Sequence, residues 1–201
     1  MTRKEETIND PEEWLMRDPE YAARVHKREH EIAERRAILD KNEKPLVEAL
    51  TAVGWPEGVR QLEETRSVWD LVNTPILYTY LLPVLAEHLK RPYLPEVKEG
   101  IARALIVKEA RGTGIARVVM DELKDQAKQM AKDYSEHSYR QVLIQALQYI
   151  GDASLEADVQ QLLHGPPFHV PSEPPLTWML EDLLKKLATP SRRKWAKQKQ
   201  K

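Results

Sequence analysis

The sequence predicts an all-helical chain whose middle and C-terminal parts stack as helix pairs. Three observations predict it. Helix formers (Ala, Leu, Glu, Lys, Gln and Arg) dominate, while seven glycines, one phenylalanine and no alternating β-branched run leave nothing that reads as sheet. The fourteen prolines fall mostly between periodic segments, where they mark starts and stops. An apolar pattern with the spacing of one helix face also returns at a period near 40 residues.

The elements can be justified in chain order. Asp10-Pro11-Glu12-Glu13 and Asp18-Pro19-Glu20 are successive helix starts, each an N-cap, a proline at the first helical position and early acids. A helix from Pro19 to Asp40 follows. Its apolar stripe is narrow: Val25, Ile32 and Leu39, seven apart, with Tyr21 and Ala22 at one end. Arg28, Glu29, Arg35 and Arg36 fill the rest. So narrow a stripe buries little and packs along one edge of something larger, or makes a short coiled-coil contact. Pro45 is expected to start a second helix, through Val53, closed by Gly54-Trp55-Pro56. Residues 57–73 are less regular, and Val68–Val72 reads as a short helix or an extended piece. Asn73-Thr74-Pro75 then opens an apolar helix from Ile76 to Lys90, with a kink expected at the internal Pro83.

Arg91–Pro95 is a tight connection. Beyond it, Val97-Lys98-x-x-Ile101-x-x-Ala104-Leu105 follows the i, i+4, i+7, i+8 spacing. The same spacing recurs at Tyr139-Arg140-x-x-Leu143-x-x-Ala146-Leu147-x-x-Ile150-Gly151-Asp152, and more weakly at Leu183-Leu184-x-x-Leu187. A period near 40 is that of two-helix repeats. The first helices of the pairs are then Pro75–Lys90, Ile115–Lys132 and Ser154–His164. A proline-rich connector, Gly165 to Pro175, separates the third pair.

An apolar residue, then Arg or Lys, then small and apolar residues ending in Ala-Leu and an Ile-Gly-Asp close, resembles the second helix of a HEAT repeat. Tyr139–Asp152 matches closely, and Val97–Leu105 lacks the Gly-Asp ending. The resemblance covers roughly residues 75–188. It implies an α-α superhelix of helix pairs with an N-terminal helical extension. The domains expected are 1–73, the extension and connector; 74–189, the HEAT-like repeats; and 190–201, a basic tail. The resemblance also implies that second helices line the concave side. Helical geometry turns Glu99, Arg103, Gln141, Gln145 and Gln148 away from the packed face, onto a polar strip there. It further implies that Lys98 and Arg140, at matching positions, belong to a structural ladder of charges between units.

Composition narrows the function. There are no cysteines, so disulfides, thiolate metal sites and cysteine nucleophiles are excluded. The longest apolar stretch, Ile76 to Ala86, is about half of the roughly 20 residues a membrane span needs. The N-terminus carries no apolar signal core. The reading is a cytoplasmic protein without membrane or cofactor. Net charge is −1, but no acid follows Asp182 while lysines and arginines accumulate to Lys201.

Three chemical motifs compete with the interaction reading. His26-x-x-Glu29-His30 has the H-x-x-E-H spelling of a zinc hydrolase, two imidazoles one turn apart beside a base. Its highly charged helix offers no buried supporting shell, and surface histidines are the better reading. Arg111-Gly112-Thr113-Gly114 precedes a helix, but without a strand or Gly-Lys-Ser/Thr it reads as a turn. Trp69-Asp70 resembles the aromatic-plus-acid cleft of alkylpurine DNA glycosylases, whose fold is HEAT-like. Trp55 and Trp69 lie outside the repeats, however, and Trp178 reads as core of the last helix. His88 and His137 read as capping or surface residues. The expected function is a non-enzymatic module binding another protein along the strip. The alternative is nucleic-acid binding through the basic tail.

Overall fold

The computed structural model describes residues 15, 17–62, 65–72, 74–128, 133–165 and 176–188. The Asp10-Pro11 start, most of the proline-rich connector and the basic tail lie outside them. All regular structure among the described residues is helical. The chain divides into two compact units, Met1–Lys41 and Asn42–Lys201.

Helix α1 runs from Pro19 to Val53, with Asp18 Oδ1 accepting from Glu20 N at 2.9 Å. The two helices expected here are one. Pro45 removes a single backbone bond, the one to Lys41 O, and Pro45 and Lys41 are both exposed residues, so the helix runs on through it. In the first unit, α1 presents Ile32 at 56% exposure and Ile38 at 52%.

In the second unit, α1 buries Glu43, Leu46 and Leu50 on one face. The Glu43 carboxylate reaches a distant turn: it accepts from Val68 N at 2.5 Å and from Ser67 Oγ at 3.0 Å. That turn is a 3₁₀ helix, Val68–Leu71, closed by a capping box between Ser67 and Asp70. Asp70 also accepts from Leu62 N at 2.9 Å, so two carboxylates organise the irregular stretch.

Three helix pairs follow. The first is α2, Leu82–Leu89, with α3, Pro95–Ala104; the second is α4, Ile115–Gln126, with α5, Tyr134–Ile150. The third is α6, Glu156–His164, with α7, Thr177–Ala188. Each pair packs together, and contacts also run from α3 to α5, from α5 to α7 and from α2 to α4. The expected kink at Pro83 does not occur, because the α-helix begins at Leu82 after a 3₁₀ turn at Thr79–Leu81. Pro83 therefore sits in the first turn, where its missing N–H costs nothing. The apolar spacings read from the sequence are the buried faces. Val97, Ile101 and Ala104 of α3 are at most 2% exposed, and α5 buries Tyr139, Val142, Leu143, Ile144, Ala146, Leu147 and Ile150. Each buried valine, leucine or isoleucine among them contributes about 1.5–3 kcal/mol of transfer free energy.

Two glycines are needed for close approach. A Cβ on Gly100 would lie 2.6 Å from Val68 Cγ1, where α3 meets the Val68–Leu71 turn. A Cβ on Gly151 would lie 2.4 Å from the Leu147 carbonyl oxygen, at the close of α5.

Polar groups bridge the helices. Lys98 of α3 pairs with Glu122 of α4 at 2.7 Å, with side chains 11% and 7% exposed, and its ammonium stands 5.9 Å from the Tyr139 ring centroid. Burial and the Glu122 carboxylate push the Tyr139 phenol well above its usual range. Asp158 of α6 joins α4 through Lys124, at 2.8 Å, and Arg117; hydrogen bonds from Lys124 and Arg117 lower its pKa.

Three side chains are placed differently from expectation. His88 and His137 are buried, at 2% and 0% exposure. His88 Nδ1 is 2.7 Å from the Tyr93 hydroxyl and the rings stack, whereas His137 Nε2 is 3.0 Å from Gln141 Nε2. Trp178 is 62% exposed rather than core, because Met179, Leu180, Leu183 and Leu187 form the packed face of α7. No helix of the described residues is long and apolar enough to cross a membrane.

Candidate functional site

The register of the polar contacts orders three helices. Ser135 Oγ donates to Glu96 at 3.2 Å and Ser138 Oγ to Glu99 at 3.0 Å, so moving three residues along α3 moves three along α5. Gln148 Nε2 donates to Asp182 at 3.0 Å, and further on Gly151 abuts Leu187. Residue numbers rise together in both cases. Helices α3, α5 and α7 therefore run in the same direction, side by side, with the Val68–Leu71 turn against α3.

The five residues expected on the polar strip fall on these helices and do different things. Glu99 is mostly covered, with a side chain 13% exposed; it accepts from Arg103 at 2.9 and 2.7 Å and from Ser138. It thereby fixes Arg103, whose guanidinium also lies 6.0 Å from the centre of the Trp69 ring. Gln141 is half-buried beside His137. Gln148 fastens α5 to α7, donating also to Met179 O at 3.3 Å. Gln145 is exposed. Of these five side chains Gln145 is thus the exposed one, while Arg103 stays part-exposed beside the Trp69 ring. Arginine and tryptophan, as at Arg103 and Trp69, recur among residues that carry protein–protein affinity.

Sequence reasoning did not single out Trp69 for this strip. It sits more than thirty positions before Arg103 in an irregular stretch, and no local periodicity ties the two. A second aromatic–cation pair was missed for the same reason. Arg111 lies 4.5 Å above the Tyr149 ring and donates to Tyr149 O at 2.7 Å. Tyr149 borders a cleft of about 230 Å³ walled by Pro75, Ile76, Leu77, Ile106 and Val107. Tyr78 also lines it, donating to Ala104 O at 2.9 Å; burial, then Glu109, pushes its pKa up to about 12.

The other motifs are placed plainly. His26 Nδ1 lies 3.3 Å from Glu29, whereas His30 Nδ1 lies 3.7 Å from Glu34, and all four side chains are about two-thirds exposed. Among the described residues no group of three His, Asp or Glu side chains is placed to hold a metal ion. Gly112 and Gly114, at φ +73° and +84°, form the turn into α4. Comparisons with family models, with curated proteins and with solved structures returned no match.

Proposed function

We propose that the chain is a HEAT-like α-α superhelix that works as a non-enzymatic protein-interaction module in the cytoplasm. Its partner, another protein, docks along the edge of α3, α5 and α7. The observation that carries this reading is the common direction of those three helices, held by the serine–glutamate and glutamine–aspartate register. A row of parallel helices, each joined to the next through a first helix, is the arrangement that the near-40-residue period implies. Such a row offers a long, shallow surface rather than a pocket. Arg103 and Gln145 contact the partner; Glu99 and Gln148 hold the surface in shape, and Gln141 lies between these roles.

The test is a double variant, Arg103→Glu with Gln145→Glu, compared with the unchanged chain. Captured partner protein is quantified by mass spectrometry, and helicity is followed by circular dichroism. Loss of captured partner with unchanged helicity is the expected result. Unchanged capture removes the strip assignment.

A further inference from the structure

We propose that the face of α1 between Tyr21 and Lys41 docks an acidic amphipathic helix from a partner protein. Val25, Ile32 and Leu39 recur every seven residues, with Tyr21 one turn before Val25. Seven-residue spacing keeps a stripe in register with another helix, not with an extended strand. Ile32, at the middle of the stripe, is 56% exposed.

The borders of the stripe are basic. At 3.6 residues per turn, Arg24, Arg28 and Arg35 lie along one side of Ile32 and Arg36 along the other, all exposed. The acids on this side are Glu29, paired with His26 at 3.3 Å, with Asp40 at one edge and Glu31 at the other, beside Arg28 and Arg35. Behind that edge the signs mix: Lys27 reaches back to Glu31 at 3.8 Å, and His30 pairs with Glu34 at 3.7 Å. Guanidinium groups beside an aliphatic seam match glutamates flanking the seam of a partner helix, as at the e and g positions of a coiled coil. Exposed pairs the arginines make within the chain are weak enough to exchange.

A second copy of this chain fits worse. Parallel pairing sets Arg28 on Arg28 and Arg35 on Arg35 of the copy. Antiparallel pairing about Ile32 still sets Arg28 against Arg36. An anionic bilayer also fits worse, because the stripe has three aliphatic residues and no tryptophan or phenylalanine to enter the acyl region.

The experiment titrates the full chain with a synthetic peptide carrying leucine at a and d and glutamate at e and g. Binding is expected, weakening as salt rises. It should fall at least about tenfold in Arg28→Glu with Arg35→Glu, vanish in Ile32→Asp and persist in Lys27→Glu on the opposite side. Circular dichroism checks that these exposed substitutions leave the helix formed. The proposal is overturned by no binding at low salt or by equal affinity for a peptide with lysine in place of glutamate. Equal loss in Lys27→Glu, capture by phosphatidylserine vesicles instead of the peptide, or concentration-dependent self-association overturns it as well.

Discussion

At the scale of single residues, the buried pair of Lys98 and Glu122 is one whose disruption is costly. Both side chains are nearly covered, and Gln126 Nε2 donates to the same Glu122 oxygen at 3.0 Å. An ion pair of this kind adds little over a well-packed apolar pair, because both charges leave water. Removing one partner is another matter, since it strands the other charge. Glu122→Ala should therefore destabilise the second unit by about 3–5 kcal/mol. Urea unfolding followed by circular dichroism measures it, and a loss below about 1 kcal/mol contradicts a buried pair. The exposed Lys44–Glu48 pair, at 3.9 Å on α1, is the contrast. Breaking that one should change almost nothing.

At the scale of elements, Gly100 gives a prediction opposite to the usual rule. Glycine inside a helix costs about 1 kcal/mol relative to alanine, so Gly→Ala normally stabilises. Here the added methyl meets the stiff Val68 side chain and the Trp69 ring. Gly100→Ala should lower stability by about 1–3 kcal/mol, and a rise in the thermal midpoint would show that the Val68–Leu71 turn does not press on α3. Elements of this kind mark the limit of what the sequence discloses. The buried faces of α3 and α5 were legible because amphipathic spacing is local: Val97, Ile101 and Ala104 recur as Tyr139, Leu143 and Ala146. Proline was misread at both internal positions, for opposite reasons. At Pro45 the helix continues through the residue, on its exposed side; at Pro83 the helix starts one residue before it. Trp178 reads from the sequence as core of the last helix, yet the packed face of α7 lies one residue along. Contacts between distant segments, such as Glu43 with Val68 or Arg103 with Trp69, leave no periodic trace in the sequence. The strip was legible as a set of polar positions. Which of them bond across helices, as Glu99 and Gln148 do, and which face outward, as Gln145 does, was not.

At the scale of the whole chain, the two proposed docking surfaces are separate in sequence and in chemistry. The strip of α3, α5 and α7 offers the Gln145 amide, one guanidinium and the Trp69 indole, whereas the α1 stripe offers aliphatic groups between arginines. They can be lost independently, so the Arg103/Gln145 variant should leave binding of the acidic peptide intact. The central claim concerns the strip, and site-specific photocross-linking tests it most directly. A benzophenone side chain is placed at Gln145, exposed on α5, and in a second protein at Asp121, exposed on α4. Both are irradiated in extract. The account predicts a discrete protein adduct from position 145 and none from position 121. An adduct from 121 alone, equal adducts from both, or none from 145 would contradict it.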